Sequence, residues 1–214
     1  MCNKDDKNLS EKEKRDLVIE AGMQAIPWVG GSLATLYFGS KQERQFKRLK
    51  SFYEEVAEEI NNIKDQITDI DNQDQEALIA ILEELNEKVE REQIEEKRNY
   101  LKIYLENTLI NPINKGNYDE RKYFLDILSL MSLLECEILS LLYNKNKSVQ
   151  IRNINKFGVQ KYAIVGAVGR LKTYGFLSSS QSSFAIGGGQ DNVLNENVKV
   201  SSFGCCFCNF CLAI

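Results

Sequence analysis

A heptad pattern of apolar residues in the first third of the chain limits the folds open to it. The spacing alternates between three and four residues for more than three heptads: Phe46, Leu49, Tyr53, Val56, Ile60, Ile63, Ile67 and Ile70. This period is typical of a helix whose apolar seam packs against another helix, and charged residues fill its other faces. The pattern predicts one long helix, either in a bundle within one chain or in a coiled coil between chains.

A second helix of matching period follows directly, which favours the bundle. Residues 71–74 form a polar turn, and apolar residues then recur at helical spacing from Leu78 onwards. This pattern continues or restarts until Pro112, where the proline blocks further helix. Another helix is expected over residues 119–131. Residues 1–131 are therefore predicted to form an antiparallel helical bundle with long helices.

Residues 132–214 have a different pattern, which predicts a small winged-helix-like domain. Ser132 and Glu135 fit a capping box that opens a helix, and Gly175 closes a later helix. The segments FLSSS and VLNENVKV then predict a two-stranded wing around a Gly/Ser loop. A C-terminal helix is expected to turn one apolar face inward, formed by Phe203, Phe207, Phe210 and Ile214. The predicted fold class is mainly α.

The absence of histidine restricts the chemistry open to this chain. Histidine is the usual general base near neutral pH and the commonest metal ligand. Ser-His and Cys-His nucleophile pairs are impossible within the chain. Because no catalytic constellation stands out, we expect a protein that is not an enzyme. We also expect no cofactor and infer no small-molecule substrate.

The charge of the chain is unevenly distributed. Residues 133–214 carry eight basic and four acidic residues, a net charge of +4, which leaves −8 for residues 1–132. A change of sign between the halves indicates two modules with different partners.

The basic second half and its winged-helix pattern raise a DNA-binding hypothesis. The helix before Gly175 would be the recognition element, and four polar residues would contact bases or phosphates: Gln160, Lys161, Arg170 and Lys172. However, no Lys or Arg lies between Thr173 and Val198, so the wing cannot neutralise phosphate. The helix is also apolar around much of its circumference, including Tyr162 and Ala163, which leaves little of it free to read bases. Many such folds serve protein–protein contacts instead.

Residues 21–40 contain no charged residue and have the length that one membrane-spanning helix needs. Pro27, Gly30 and Gly31 interrupt this stretch, and no second apolar span offers partners for the freed backbone groups. We favour a broken helical hairpin that caps the bundle. The alternatives are a single membrane span and contact with a membrane surface through apolar side chains: Trp28, Leu33, Leu36, Tyr37 and Phe38.

The C-terminal tail contains four of the six cysteines: Cys205, Cys206, Cys208 and Cys211. Four thiolates can bind zinc, but structural zinc sites usually take two pairs of ligands from separate segments. The last four residues also match a prenylation box in form, with a poor fit at its final positions. We therefore expect small apolar fillers on a buried terminal helix. No secretory signal is visible, which favours a reducing, cytoplasmic location.

Four segments resemble a known group of proteins: AIPWVGG, KRLKSFYEEV, EEKRNYLKIYLENTL and FLDILSLMSLLECEILSLL. Over roughly residues 18–145 the chain resembles bacterial helical proteins, many of them prophage-borne, and some similar to the abortive-infection alpha family linked to phage defence. The resemblance implies an intracellular bacterial protein without a known enzymatic activity, and it transfers no catalytic residues. We expect an interaction or regulatory protein that associates with itself or with another protein. A DNA-binding regulator and a membrane-associated effector are the alternatives.

Overall fold

The computed structural model of this protein describes residues 48–49, 51–57, 59, 74–180 and 192–212. This part is mainly helical and includes one small antiparallel sheet of three strands, which confirms the mainly α fold class. The chain divides into two compact units. The first is Met1–Arg98 with Leu105–Arg121, and the second is Asn99–Tyr104 with Lys122–Ile214. The expected domain boundary after residue 131 stays a prediction.

The first unit contains the described part of the heptad helix. Residues 51–57 are helical, and the seam residues Leu49, Tyr53 and Val56 are buried within the single chain. At these three positions the apolar seam is therefore already covered without a second chain. The other seam residues lie outside the described residues: Phe46, Ile60, Ile63, Ile67 and Ile70.

Two consecutive helices follow, α1 (Gln75–Arg91) and α2 (Glu95–Ile110). The Asp74 carboxylate caps α1 by accepting a hydrogen bond from the Ala77 N–H at 3.2 Å. The C-cap of α2 is Asn111, directly before the proline that was expected to end this helix.

A short break separates α1 from α2, and Glu92 organises it. Its carboxylate accepts the Ile94 N–H at 2.9 Å and lies 2.8 Å from the Lys97 ammonium. Burial acts to raise the pKa of Glu92, but the hydrogen bonds from Lys97 and Ile94 and the Lys97 charge together lower it below its usual range. The helical pattern after residue 74 therefore restarts, which was one of the two predicted outcomes.

The next two helices are α3 (Tyr118–Leu130) and α4 (Leu133–Lys145), and both match the predictions within one residue or two. The predicted capping box is present at the start of α4. Ser132 Oγ accepts the Glu135 N–H at 3.3 Å, and the Glu135 carboxylate accepts the Ser132 N–H at 2.6 Å. α4 ends at Asn146, which adopts the left-handed conformation with φ of 44°.

The sheet contains three short strands, β1 (Val149–Gln150), β2 (Leu177–Ser180) and β3 (Asn197–Val200). Their order is β1-β3-β2, and all pairs are antiparallel. In the central strand, Val198 faces Val149 on one side and Ser179 on the other.

The sheet differs from the predicted wing in two details. Both predicted strands are present and pair as β2 and β3, but the sheet has a third strand, β1, whose two residues are too few to show an alternating pattern. The second predicted strand was placed from Val193, but Asn192–Asn195 forms a 3-10 turn, so extended structure begins only at Asn197.

Between β1 and β2 the chain forms a 3-10 turn, Ile151–Asn153, and the helix α5 (Lys161–Thr173). α5 is the helix that the sequence placed before Gly175. Gly175 has φ of +80°, which is the left-handed conformation expected of the residue that follows a helix C-cap.

The tail forms the short helix α6 (Ser202–Phe207), followed by a π-helical turn, Cys208–Leu212. The predicted inward face is confirmed at Phe207 and Phe210, which are buried, whereas Phe203 is half-buried and Ile214 lies outside the described residues.

The tail forms part of the core of the second unit. The rings of Phe176 and Phe207 stack with centroids 4.2 Å apart, and Phe124 meets Phe207 edge-on at 5.3 Å. A Cβ at Gly204 would lie 2.2 Å from the Phe176 carbonyl oxygen. Only glycine at this position lets α6 approach the Phe176 backbone so closely.

Candidate interaction surface

α5 has one buried side and one exposed side. The buried residues recur at helical spacing: Ile164, Ala167, Val168 and Leu171. The opposite side is called here the exposed face of α5, and it consists of Tyr162, Ala163, Gly166, Gly169, Arg170 and Thr173. The sequence predicted that little of α5 is free to read bases, because its apolar residues would be buried. This was wrong for Tyr162 and Ala163, which are apolar but lie on the solvent side of the helix.

Lys161, the first of the predicted DNA-contacting cations, is held by the segment that precedes α5. Its ammonium donates to the carbonyl oxygens of Arg152 and Ile154, each at 2.8 Å, and to the Asn155 amide oxygen at 2.7 Å. An ammonium group has three protons to donate, so these three acceptors use its full capacity.

Arg170, the second cation, forms an ion pair with α4. Its Nε lies 2.6 Å from Oε1 of Glu135, a carboxylate that is fully buried. The other carboxylate oxygen of Glu135 accepts hydrogen bonds from the Ser132 N–H and Oγ. The arginine charge therefore compensates a buried negative charge within the same chain.

Lys172, the third cation, forms an ion pair and a hydrogen bond with Glu196. Burial acts to raise the pKa of Glu196, but the hydrogen bonds from Lys172 and Ser179 and the charge of Lys172 lower it overall. The fourth DNA candidate, Gln160, is the exposed N-cap residue of α5 and makes no side-chain capping bond.

The environment of Tyr174, directly after α5, also reflects the buried carboxylate. Burial and the nearby charge of Glu135 raise the pKa of Tyr174, and Arg170 opposes this shift. The Tyr174 carbonyl oxygen accepts a hydrogen bond from the Tyr123 hydroxyl at 3.1 Å, which connects the end of α5 to α3.

The two glycines on the exposed face of α5 have no neighbour that requires them. A Cβ at Gly166 or at Gly169 would meet nothing within 4 Å in the part of the chain that the structure describes. Glycine in a helix interior costs roughly 0.5–1 kcal/mol relative to alanine. The helix therefore carries this cost twice without an internal packing reason, and it presents bare backbone at these positions.

Two large aromatic side chains are exposed at the N-terminal end of α5 and on the turn before it. Phe157 is fully exposed on the turn before the helix, and Tyr162 is 65% exposed. Sequence reasoning missed the exposure of Phe157 and the role of the glycines. The dipeptide Phe157-Gly158 in a polar link, and two glycines three residues apart inside a helix, were the signals available.

The four C-terminal cysteines do not share one environment. Cys208 and Cys211 are buried, as the filler interpretation predicted, whereas Cys205 is half-buried and Cys206 is exposed, so that interpretation was wrong for Cys206. Burial, with smaller contributions from Cys205 and Cys136, raises the pKa of Cys208 to about 12, which keeps it a thiol.

Among the residues that the structure describes, no group of three or more cysteine, aspartate or glutamate side chains is placed to hold a metal ion. A zinc site formed by Cys205, Cys206, Cys208 and Cys211 therefore has no support from this part of the chain.

The candidate membrane-contacting residues lie outside the described residues: Trp28, Leu33, Leu36, Tyr37 and Phe38. Of the helices in the described ranges, none combines the length and the apolar character needed to cross a membrane. Membrane contact through residues 21–40 stays a prediction.

No family model, curated protein or solved structure matches this chain. The resemblance to the abortive-infection alpha family stays a prediction as well.

Proposed function

We propose that this chain is a non-enzymatic interaction protein that associates with a second copy of itself through the exposed face of α5. The observation that carries this proposal is that all three cations of this helix that are candidates for DNA contact are bound within the chain. What α5 then offers to a partner is its exposed face, which combines small residues with Tyr162 and the ion-paired Arg170, and Phe157 is exposed on the turn before the helix.

Charge compensation supports a second copy as the partner. Glu135 and Glu196 neutralise Arg170 and Lys172, so two such faces can meet without strong repulsion between like charges. The bare backbone at Gly166 and Gly169 would allow two helices to cross closely, because the distance between helix axes depends on the side chains at the contact. One helix face is smaller than a standard stable interface, so we expect weak, concentration-dependent association.

The proposed scaffold for this surface is a winged-helix-like domain. Its support is the element order α4, β1, a 3-10 turn, α5, β2, a second 3-10 turn and β3, in which α5 would take the place of the recognition helix. The turn Ile151–Asn153 would stand where such a domain has its second helix. Domains of this kind serve many functions, so the surface residues and not the fold carry the proposal.

Light scattering on the full chain tests the proposal. The weight-average mass should rise from 24.5 kDa towards twice that value as the protein concentration increases. Tyr162→Ser should reduce this rise, because it removes an aromatic anchor from the surface. The matched control is Leu130→Ser, an apolar residue of similar exposure (67%) at the end of α3. A constant mass of 24.5 kDa at all concentrations would refute self-association.

DNA binding through Gln160, Lys161, Arg170 and Lys172 remains the first alternative. Duplex DNA binding that weakens steeply with salt, and that Arg170→Gln reduces at every salt concentration, would favour it. The exposed guanidinium edge of Arg170 is the feature that would serve such contacts, since its side chain is only partly buried.

The cellular roles expected from the sequence are proposals too. A cytoplasmic bacterial protein in phage defence should lower the plating efficiency of a sensitive phage when it is expressed, and Tyr162→Ser should abolish that effect if self-association is required. A membrane-associated effector acting through residues 21–40 should instead stay in the membrane pellet after a carbonate wash.

A further inference from the structure

A cleft of about 500 Å³ opens in the second unit, where the end of α4 lies beside the end of β3. Its polar lining consists of Tyr143, Asn144, Asn146, Lys199, Ser202 and Cys205. A volume of this size lies within the range of small-molecule sites. No residue of the exposed face of α5 is among those that line it, so the cleft is separate from the proposed interface.

We propose that this cleft binds a small organic anion that carries a phosphate or a carboxylate group. The decisive residue is Lys199. It is exposed, and within the part of the chain that the structure describes its ammonium has no carboxylate partner. No Asp or Glu is among the described residues that line the cleft, so nothing there competes with an anionic ligand for this charge.

Lys199 contrasts with the lysines around α5. Lys156 pairs with Glu137, Lys172 pairs with Glu196, and Lys161 is bound by three oxygen acceptors. The Lys199 backbone is fixed as well, because β3 is paired on both sides and Lys199 faces Ser178 in β2. A lysine without a carboxylate partner among the described residues, on a strand that is hydrogen-bonded to β2, can hold a ligand group in a defined position.

The remaining lining groups define what else the ligand must carry. The amides of Asn144 and Asn146 offer both donors and acceptors, and Asn146 is held in a left-handed conformation. α4 ends at this point, and the negative end of its dipole disfavours an anion there, so the anionic group should lie at Lys199 and the hydrogen-bond donors of the ligand towards α4. The ligand should therefore combine its anionic group with hydroxyl or amino donors.

One wall of the cleft is held in place by a hydrogen bond. The Tyr143 hydroxyl donates to the Asn209 amide oxygen at 2.5 Å and so ties α4 to the π-helical turn of the tail. Ser202, at the first position of α6, also lines the cleft. The cleft is thus formed by elements that the core of the second unit already fixes.

The test is an NMR titration of the isotope-labelled full chain with three probes: ribose 5-phosphate, glutamate and inorganic phosphate. We expect saturable shifts at the backbone amides of Asn146, Lys199 and Ser202, with a dissociation constant of about 1 mM or tighter for at least one organic probe. Ribose 5-phosphate and glutamate distinguish a phosphate from a carboxylate ligand. Inorganic phosphate shows whether the anion alone is sufficient.

Lys199→Gln should weaken binding about tenfold or more, while its spectrum elsewhere confirms an intact fold. The matched control is Lys145→Gln, which removes an exposed lysine at the end of α4 that does not line the cleft. Saturable binding that Lys199→Gln leaves unchanged would overturn the proposal, as would the absence of saturable shifts with all three probes. Because the amide shifts report binding at the cleft itself, neither result depends on whether α5 mediates self-association.

Discussion

The Arg170 guanidinium on α5 lies 2.6 Å from the carboxylate of Glu135 on α4, and that carboxylate is fully buried. Two residues 35 positions apart thereby join the capping box of one helix to the exposed face of another. A buried carboxylate that loses its partner is costly, because its charge has been removed from water. Arg170 therefore has a structural role that does not require a nucleic acid.

Replacing Arg170 tests this role. Arg170→Gln should lower the free energy of unfolding by about 1–3 kcal/mol, less than for a fully buried pair because the guanidinium is partly exposed. Urea denaturation measures this change. Glu135→Gln serves as the control, since glutamine can keep the capping box while removing the buried charge, and the double variant should be less destabilised than the sum of the two single variants. An unchanged stability of Arg170→Gln would show that the ion pair contributes no net stability and would contradict a structural role for Arg170.

A second buried polar pair lies in the first unit and interrupts the heptad seam. The Tyr53 hydroxyl donates to the Asn86 amide oxygen at 2.5 Å, and both side chains are buried. Burial raises the pKa of Tyr53, and the bond to Asn86 opposes this shift only in part. A single polar pair in an apolar seam is well placed to fix the register of the packed helices.

Removing either partner of this pair should destabilise the fold. We expect Tyr53→Phe and Asn86→Leu each to lower the free energy of unfolding by about 1–3 kcal/mol, because each leaves a buried polar group unpaired. The double variant should recover part of the loss, since no orphaned group then remains. Chemical denaturation of all four proteins measures this coupling, and strictly additive losses would show that the hydrogen bond contributes nothing.

Glu196 makes the stability of the second unit dependent on pH. Its pKa is lowered in the folded state, so the unfolded chain takes up a proton before the folded chain does. The stabilisation by Lys172 is therefore fully present above the ordinary pKa, 4.5, and is lost as the pH falls through the lower folded value. The difference in unfolding free energy between the native protein and Glu196→Gln should shrink as the pH falls below 4.5.

Thermal or chemical unfolding across this pH range checks the prediction. The unfolding free energy of Lys172→Met should depend less on pH in this range than that of the native protein. This substitution removes the charge and the hydrogen-bond donor that lower the pKa of Glu196. A difference between the native protein and Glu196→Gln that stays constant with pH would mean that Lys172 does not stabilise the ionised carboxylate.

Local signals in the sequence predicted the helices well. The capping box at Ser132 and Glu135, the stop before Pro112 and the glycine after α5 each act within a few residues, and the structure reproduces all three. Such signals need no knowledge of the rest of the fold, because the groups that satisfy one another are neighbours in the chain.

Contacts between distant residues could not be predicted in the same way. Nothing in the spacing of Lys172 and Glu196, or of Arg170 and Glu135, indicates that they meet, so from the sequence these cations are only candidates for DNA contact in the alternative hypothesis. The same holds for the cleft, because Asn146 and Lys199 come together only when β1 and β2 pair with β3. The π-helical turn after α6 likewise departs from the regular helical period that predicted the tail.

Substitutions of Gly166 and Gly169 in α5 distinguish a role in packing within the chain from a role in contact with a second copy. If Gly166 and Gly169 serve a contact with a second copy, longer side chains should improve the helix and weaken the association. Glutamine is a far better helix former than glycine, so Gly166→Gln and Gly169→Gln should each raise the unfolding free energy by roughly 0.5 kcal/mol. Gly204→Ala is the contrasting control. It should destabilise the protein by about 1–3 kcal/mol, because its Cβ would overlap the Phe176 carbonyl oxygen.

The most direct single measurement is sedimentation equilibrium of the Gly166→Gln, Gly169→Gln double variant beside the native protein, with unfolding free energies from the same samples. We predict that the native protein forms a concentration-dependent dimer. The variant should be at least as stable but should dissociate about ten times more readily. An equally tight dimer in the variant, or a variant that is less stable than the native protein, would contradict an association surface on α5.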